Sequence, residues 1–478
     1  MKAHRRVPMQ AQLGGLRLAI TLAAAAALSG CASFSADGGF GAVEQTARER
    51  LGKDLRWARS DADQNTIDQR VAALLAQPLS ADDAVQLALL NNKGLQAQYQ
   101  ELGIGEAERV QAGRLPNPGI TFSRLTRGGE VELERGLHFD LARLLALPLI
   151  KPMEARRFEQ TQRSVAISVL AIAADTRKAH INAVAAEETV RYRRQVMQAA
   201  EASAELARRM AAVGNFNKLQ RAREQSFYAD AALNLAHAQQ AQRATRERLT
   251  RLLGLWGAQT AFTLPERLPD LPKEAQDLPD IERIAMAQRL DVQGAKLAAE
   301  QTAKNLGLTK TTRFINVLEL GALRNTSNEA PTQRGWELSL ELPLFDWGGA
   351  RVARAEAVYM QSLQRAAQTA IDARSEVREA YGNVRSAFEI ARHHRDEIVP
   401  LRKLIAEENV LRYNGMLIGV FELLADARGQ IASVNAAIDA LRDYWLAQAD
   451  LEMALVGKPS LAGTTAPAMA ADASGAGH

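Results

Sequence analysis

The side chains that could bind a metal ion or act as catalysts are few and poorly spaced in this sequence. His393 and His394 are adjacent, so they point to different faces of a helix, and a surface location explains them better than a shared metal ion does. Met210 and Met416 could bind a soft metal such as copper or silver, although methionines more often serve as packing residues. The sequence contains no HExxH, P-loop, dinucleotide-binding or nucleophile-elbow motif. These observations predict a protein without enzymatic activity, cofactor or resident metal.

Cys31 is the only cysteine of the chain and follows a segment with the features of a secretion signal. Basic residues in the first 17 positions precede the apolar run Leu18–Leu28, which is too short to span a bilayer. The small residues directly before Cys31 resemble the lipobox of bacterial lipoproteins, in which the cysteine becomes the lipidated first residue of the mature chain. A signal peptide with an incidental cysteine is the alternative. Ala32 follows the cysteine and, by resemblance to lipoprotein sorting signals, indicates the outer membrane.

Composition favours long helices over a compact mixed domain. The 478 residues are 47% hydrophobic but only 5% aromatic, so alanine and leucine make up much of the apolar content. The net charge is +4, and the basic residues are interleaved with acids along the predicted helices. This pattern is typical of solvated helix faces and argues against a nucleic-acid partner.

Short segments that alternate between apolar and polar residues have the period of strands with one face of each kind. A first strand is predicted at Ile120–Leu125, a second at Gly136–Leu147, and a later one at Arg334–Phe345. Apolar outside and polar inside is the pattern of a transmembrane barrel, which must close because unpaired edges are costly in lipid. The internal duplication described below implies two strands in each half of the chain. Four strands per chain cannot enclose a water-filled channel, so we expect several chains to share one barrel. The predicted lipid-facing residues are Leu137, Phe139, Leu141, Trp336, Leu338, Leu340 and Leu342.

Long helical segments connect these strands to two turns. Ser80 is the predicted N-cap of a helix that reaches about Gly113. Further helices are predicted over 153–212 and 350–413. A helix of about 60 residues is about 90 Å long and is stable only when it packs along neighbours. Gly214 and Gly415 stand where the chain must reverse, and a residue that can adopt positive φ is needed there. The sequence therefore predicts a mainly α fold of long antiparallel hairpins with a small β part.

The two halves of the chain match each other in order at a nearly constant offset. The apolar stripe that begins at Ala84 recurs 197 positions later at Ile281, and Leu147-Pro148-Leu149 recurs 195 positions later as Leu342-Pro343-Leu344. Such ordered matches predict an internal duplication of helix, two strands and helical hairpin. The predicted segments are a signal peptide (1–30), a lipidated tether and lead-in (31–78), a first repeat (79–263), a Pro-rich linker (264–279), a second repeat (280–457) and a disordered tail (458–478).

Motifs found in the same order in this chain resemble the outer-membrane factor family, the TolC-like channel lipoproteins of bacterial efflux and type I export systems. They are LSADDAVQLALLNN at the first helix, GRLPNPGITF at the helix-to-strand break, LPLFDWGGAR, and LRYNGMLIGVFELLADAR at the second hairpin. The resemblance covers 79–457. It implies a homotrimer with a twelve-stranded β-barrel in outer-membrane lipid and an α-helical tunnel through the periplasm of a Gram-negative bacterium. It also implies two partners, a periplasmic adaptor protein and a proton-driven inner-membrane pump.

The resemblance also suggests residues for a gate. In the family, carboxylates just after the second hairpin turn surround the periplasmic end of the tunnel. Glu422 stands at the matching place, with Asp426 one helical turn later. Several copies of such a pair would attract cations and repel anions. This sequence has Ala425 where a second acid often stands in the family, and an ordinary solvated acidic pair is the alternative.

The two turns farthest from the strands are the predicted contact sites for the adaptor. They comprise 212–217 in the first hairpin and 413–419 in the second. The residues predicted to contribute are Arg209, Gly214, Asn215, Arg412, Asn414 and Gly415.

A structural lipoprotein, a coiled-coil spacer without a channel, is the main alternative function. It accounts for Cys31 and the helices, but it leaves the paired amphipathic strands and the duplication unexplained. Within the channel interpretation, drugs, metal ions and proteins are alternative substrates, because the resemblance places specificity in the pump.

Overall fold

The structure is a computed structural model that describes residues 33–314, 317–341 and 344–459. The predicted signal peptide (1–30), Cys31, Leu342 and most of the predicted tail lie outside the described residues. The described chain divides into two compact units. The first unit combines Gln100–Arg163 and Gly294–Ala367 with the residues before Glu44, and the second combines Glu44–Tyr99, Ser164–Gln293 and the residues from Gln368 onward.

The first unit contains a four-stranded antiparallel sheet in the order β1-β2-β3-β4. β1 and β2 come from the first half of the chain, and β3 and β4 come from the second half. The β2–β3 pair therefore joins the two halves, and the outer edges of β1 and β4 are the edges of this sheet. The strands are β1 (Gly119–Arg127), β2 (Glu130–Asp140), β3 (Leu318–Ser327) and β4 (Gln333–Leu340).

Helices make up most of the described chain, which confirms the prediction of a mainly α fold with a small β part. None of the described helices carries an apolar stretch long enough to cross a membrane. The α-helices are α1 (Phe40–Leu51), α2 (Asp61–Leu75), α3 (Ala81–Asn91), α4 (Lys93–Ala112), α5 (Leu141–Ala212), α6 (Lys218–Leu253), α7 (Ile281–Gln288), α8 (Leu290–Thr312), α9 (Gly349–His393), α10 (Val399–Asn414) and α11 (Val420–Val456).

The prediction of a strand over 136–147 was wrong in its bounds, because β2 ends at Asp140 and Leu141 already belongs to α5. The carboxylate of Asp140 accepts a hydrogen bond from the backbone N–H of Arg143 at 2.9 Å. Asp140 therefore satisfies one of the free donors of the first helical turn and favours helix over strand from that point. α5 continues through Pro148 and Pro152, so the helix also begins earlier than the predicted position 153.

The helix predicted from Ser80 to about Gly113 is two helices, α3 and α4. The Ser80 cap is confirmed, since its Oγ accepts the N–H of Asp83 at 3.1 Å. The break comes at Asn92, whose Oδ1 accepts the N–H of Leu95 at 3.0 Å while its Nδ2 donates to the carbonyl of Leu252 at 2.8 Å. One side chain thus caps the start of α4 and the end of α6, which explains why the helix is interrupted there.

A second break occurs between α7 and α8 at Arg289, which stands 197 positions after Asn92. Arg289 likewise donates to a carbonyl at the end of a neighbouring helix, that of Ala454 in α11, at 3.3 Å. Gln96 and Gln293, also 197 positions apart, each donate from Nε2 to the carbonyl six residues earlier. These equivalent contacts support the predicted duplication, which remains a prediction.

The helix predicted over 350–413 is interrupted by a π-helical turn at His394–Ile398. Pro400 has no backbone N–H, and its ring would clash with the carbonyl of Asp396 in a regular α-helix. The turn is widened instead, and the N–H of Val399 donates to the carbonyl of His394. We attribute the wide turn to this proline.

The predicted Pro-rich linker (264–279) lies against the helices of the second unit. Leu268 is buried with Ile181 of α5 and packs against Trp445 of α11. The indole N–H of Trp445 donates to the carbonyl of Pro269 at 3.0 Å. The linker therefore forms part of the core between helices of the two halves of the chain.

His180 is a buried histidine of α5. Its Nε2 lies 2.7 Å from the carbonyl oxygen of Leu79, so the Nε2–H tautomer donates to that oxygen. Burial lowers the pKa of His180, and the hydrogen bond to Leu79 acts in the opposite direction. Because the charged form is disfavoured in the folded protein, His180 links folding to pH.

We expect the free energy of unfolding to decrease as the pH falls below the ordinary histidine pKa of 6.5 toward the lowered pKa of folded His180. In this window the unfolded chain binds a proton that folded His180 does not, which lowers stability by up to about 1.4 kcal/mol per pH unit. Urea unfolding between pH 7.5 and pH 5 should show a shallower pH dependence for His180→Gln than for the wild type. Identical slopes would contradict this assignment.

Candidate functional sites at the sheet and the hairpin turns

One face of the sheet carries five of the seven predicted lipid-facing residues. The register pairs Leu137 with Ala322 and Ala322 with Trp336, and it pairs Phe139 with Leu320 and Leu320 with Leu338. Directly opposed residues share a face. Leu137, Phe139, Trp336, Leu338 and Leu340 are 42–76% exposed on this face, whereas Leu141 is a half-buried helical residue.

The opposite face is acidic. Every acidic residue of the strands lies on this face, and Asp140 stands directly opposite Glu319. Like charges in direct opposition are unfavourable in an isolated sheet, and they attract cations. The acidic residues are Glu130, Glu132, Glu134, Asp140, Glu319 and Glu337.

The first hairpin turn, between α5 and α6, has the geometry that the sequence predicted. Gly214 adopts a positive φ of 80°, and the carbonyl of Met210 accepts the N–H groups of Asn215 at 2.9 Å and Phe216 at 3.3 Å. Asn217 then caps α6 through a reciprocal pair of 2.8 Å hydrogen bonds with Gln220. These local contacts stabilise the reversal.

The second hairpin turn, between α10 and α11, differs from the prediction at one residue. Gly415 has a φ of −80°, and Met416 adopts the positive φ of 60° instead. The N–H of Leu417 donates to the carbonyl of Arg412 at 2.9 Å, which closes α10 with Met416 in the left-handed position. The helix thus extends one residue beyond the expected stop.

We expect Met416→Gly to stabilise this turn by about 1 kcal/mol, because a left-handed conformation is strained for a side chain and free for glycine. Amide hydrogen exchange of 411–420 should slow in the variant. Gly415→Ala is the matched control, since φ at this position is negative and alanine fits it without strain. Faster exchange in Met416→Gly would contradict the expectation.

The tips of both hairpins expose apolar side chains. Val213 and Leu219 are 72% and 60% exposed at the first tip, and Met416 and Leu417 are 93% and 77% exposed at the second. The sequence prediction selected polar neighbours and missed these residues. Their apolar side chains within two residues of a Gly or Asn of each turn were the signal that could have identified them.

The predicted polar tip residues are exposed at the same places. Arg209 forms an ion pair with Glu205 at 2.8 Å within α5. Its backbone carbonyl accepts the N–H of Val213. The exposed predicted residues are Arg209, Gly214, Asn215, Arg412, Asn414 and Gly415.

The predicted gate acids lie on one face of α11 but have different surroundings. Glu422 is exposed in the first helical turn, where a carboxylate interacts favourably with the helix dipole. Asp426 is half-buried and accepts a hydrogen bond from Asn409 of α10, the other arm of the hairpin. Only Glu422 therefore presents an exposed carboxylate.

A buried ion pair near these acids ties the two hairpins together. Glu224 of α6 is 1% exposed and accepts hydrogen bonds from Ser203 of α5 at 2.8 Å and from Arg428 of α11 at 2.9 Å. The Arg428 guanidinium also lies 4.4 Å from the ring centroid of Phe227. Sequence reasoning missed this cluster, because Arg428 lies about 200 positions from Glu224 along the chain.

Comparisons with known proteins agree on the fold. No family model matches the sequence, and no curated protein matches it. Among solved structures, the Campylobacter jejuni CmeC outer membrane channel gives a TM-score of 0.68 at 16% identity, covering 83% of this chain and 88% of that chain. CusC gives a TM-score of 0.66 at 17% identity, covering 79% of this chain and 92% of that chain. The open state of the Neisseria gonorrhoeae MtrE outer membrane channel gives a TM-score of 0.65 at 19% identity, covering 78% of this chain and 88% of that chain.

The chain has the outer-membrane factor fold. This finding confirms the resemblance inferred from the sequence motifs. Identities of 16–19% establish the fold alone, and the activities of the similar proteins belong to those proteins.

The histidines and methionines singled out in the sequence lie in different surroundings in this outer-membrane factor fold. Among residues 33–314, 317–341 and 344–459, no group of three or more His, Cys, Asp and Glu is arranged to hold a metal ion. His393 lies 3.3 Å from Glu397, and burial together with the neighbouring His393 lowers the pKa of His394. Met416 lies exposed at its tip, whereas Met210 is half-buried.

Proposed function

We propose that this protein is one subunit of a trimeric channel through the outer membrane of a Gram-negative bacterium, with most of its mass in the periplasm. The main evidence for this proposal is the sheet, which has one exposed apolar face, one acidic face and two outer edges. The likeness of the chain's fold to the folds of CmeC, CusC and MtrE supports the same proposal. Export is the proposed activity, and catalysis is not part of it.

The sheet edges explain why the barrel must be shared. An open edge in lipid leaves backbone N–H and C=O groups unpaired, at several kcal/mol each. If β4 of one chain pairs with β1 of the next, three chains close twelve strands and leave no edge. The apolar face then contacts lipid and the acidic face lines water. Cys31 would add a lipid anchor in the same membrane.

The helical hairpins are proposed to extend the channel through the periplasm. There the channel would meet a periplasmic adaptor protein that connects it to a proton-driven inner-membrane pump. The exposed apolar residues Val213, Leu219, Met416 and Leu417 support adaptor contact at the tips, because such side chains favour burial against a partner. The polar residues predicted there, among them Arg209 and Arg412, would surround this apolar contact.

Glu422 and Asp426 are proposed to make the periplasmic end of the channel cation-selective. We expect Glu422→Gln to reduce the preference for cations several-fold in planar bilayers, because it removes an exposed carboxylate from each chain. Asp426→Asn should have a smaller effect, since Asp426 is half-buried beside Asn409. Glu205→Gln, which removes an acid that is paired with Arg209, is the matched control. Unchanged selectivity in Glu422→Gln would reject this role.

Conductance of the purified full chain in a planar bilayer tests the proposed function. A channel should give discrete ion-conducting steps. The alternative, a structural coiled-coil lipoprotein, should bind membranes without conductance. Chemical cross-linking of the same preparation should show trimers, and a monomer without conductance would reject the proposal.

A further inference from the structure

Three arginines stand side by side on the apolar face of the sheet. The register pairs Arg135 of β2 with Arg324 of β3, and Arg324 with Arg334 of β4. Because directly opposed residues share a face, these guanidinium groups form an arginine row across three strands. Arg124 of β1 lies on the same face, opposite Leu133 and closer to the turns.

The sheet contains no carboxylate that could neutralise this arginine row. All acidic residues of the strands lie on the opposite face, and the three arginines are exposed. β1, the edge that a neighbouring copy would bring against β4, has the sequence GITFSRLTR and contains no acid. Subunit assembly through these edges therefore leaves the positive charges in place.

Such a row is unfavourable without an anionic partner. Like charges directly opposite each other destabilise a sheet. An arginine on the lipid-facing side of a barrel is costly at the bilayer midplane and close to neutral near an interface. The arginine row is therefore tolerable at an interface and gains from phosphate groups there.

The position of the arginine row identifies the interface. The helices leave the sheet at Asp140 and Leu340, and the turns lie at the opposite end. β4 runs from the turn toward the helices, so Arg334 lies six residues, or about 20 Å, farther from the helices than Leu340 does. It lies two residues farther from the helices than Trp336 does. The apolar band of outer-membrane barrels is about 25 Å tall and ends in aromatic residues. The arginine row thus lies near the outer end of a band of this height, on the side of the turns, and the same face continues beyond it with Leu133, Val131 and Arg124.

We propose that the arginine row binds the phosphate groups of the anionic glycolipid that forms the outer leaflet of the bacterial outer membrane. This inference rests on the proposed function, which puts the helices in the periplasm and the turns at the cell surface. Guanidinium groups bind phosphate oxygens through paired N–H donors. Adjacent strands are about 4.8 Å apart, so neighbouring arginines can contact two phosphates of one headgroup.

The test is titration of the detergent-solubilised full chain with bisphosphorylated lipid A, followed by native mass spectrometry. We expect the triple variant Arg135→Gln, Arg324→Gln, Arg334→Gln to bind at least about tenfold more weakly than the wild type. The single variant Arg324→Gln, at the centre of the row, should bind lipid A several-fold more weakly than the wild type. It remains informative if the triple variant does not assemble. Arg127→Gln is the matched control, because Arg127 opposes Glu130 on the acidic face, and it should bind like the wild type.

Two results would overturn the assignment. One is unchanged lipid A binding by Arg324→Gln and the triple variant. The other is equally tight binding of phosphatidylglycerol, which would show a general preference for anionic lipid. Bilayer conductance of the same preparations separates this inference from the proposed function. Conductance with unchanged lipid binding removes only the role of the arginine row, whereas a wild type without conductance removes both.

Discussion

Replacing Arg289 by methionine is expected to destabilise the second unit by about 3–5 kcal/mol, the largest effect among the substitutions considered. Arg289 is 1% exposed, and its guanidinium contacts Asp291 and Glu376, each at 2.6 Å, as well as the carbonyl of Ala454. Removing the cation leaves two carboxylates close together with little solvent, and it leaves the end of α11 without a donor. Urea unfolding followed by circular dichroism measures the loss.

Arg283→Met is the matched control, because it removes the same charge from an ion pair that is exposed instead of buried. Arg283 forms an ion pair with Asp280 at 3.2 Å, but both side chains are mostly exposed, so Arg283→Met should cost less than about 1 kcal/mol. Adding Asp291→Asn and Glu376→Gln to Arg289→Met should recover part of the stability, because no unpaired charge then remains. A loss in Arg289→Met no greater than that in Arg283→Met would contradict the assigned role.

Replacing Arg428 by glutamine is expected to weaken the contact between the two hairpins by about 2–3 kcal/mol. The Glu224 carboxylate, 1% exposed, would lose its only ion-pair partner within 4.0 Å among the described residues, while Ser203 would still donate to it. The value lies below the range for fully buried pairs because Arg428 itself is 37% exposed. Amide hydrogen exchange should accelerate in α6 around Glu224 and in α11 around Arg428.

A double-mutant cycle with Glu224→Gln assigns this effect to the pair. The two substitutions together should cost clearly less than the sum of the single losses, since neither partner then remains as an unpaired charge. Arg442→Gln is the matched control on the same helix, because Arg442 pairs with the exposed Asp439 and Asp443. Additive losses would show that Glu224 and Arg428 act independently.

Several local features could be predicted from the sequence because they depend on neighbours along the chain. The Ser80 cap needs only the N–H of Asp83, and the reversal at Gly214 needs only a positive φ and the carbonyl of Met210. The alternation in β4 likewise places Trp336 and Leu338 on one face, whatever the partner strand is. The long helical hairpins and the two faces of the sheet followed from such patterns, whereas β3 and the early start of α5 did not.

Other features depended on residues that meet only in the folded chain. Asn92 interrupts a helix because the end of α6 lies beside it, and Arg289 stands at the corresponding break beside the end of α11. These outcomes depend on which helix end or carbonyl is within reach, and local propensity does not encode that.

The sequence by itself determined the mainly α architecture, the amphipathic strands, the turns and the resemblance to outer-membrane factors, because periodicity and turn chemistry act over a few residues. Only the tertiary structure decided which strands pair, which acids are buried and which charges meet. Glu224 reaches Arg428, and Arg135 stands opposite Arg324, through pairings of segments about 200 positions apart. Burial and register set those contacts, and both are properties of the folded chain.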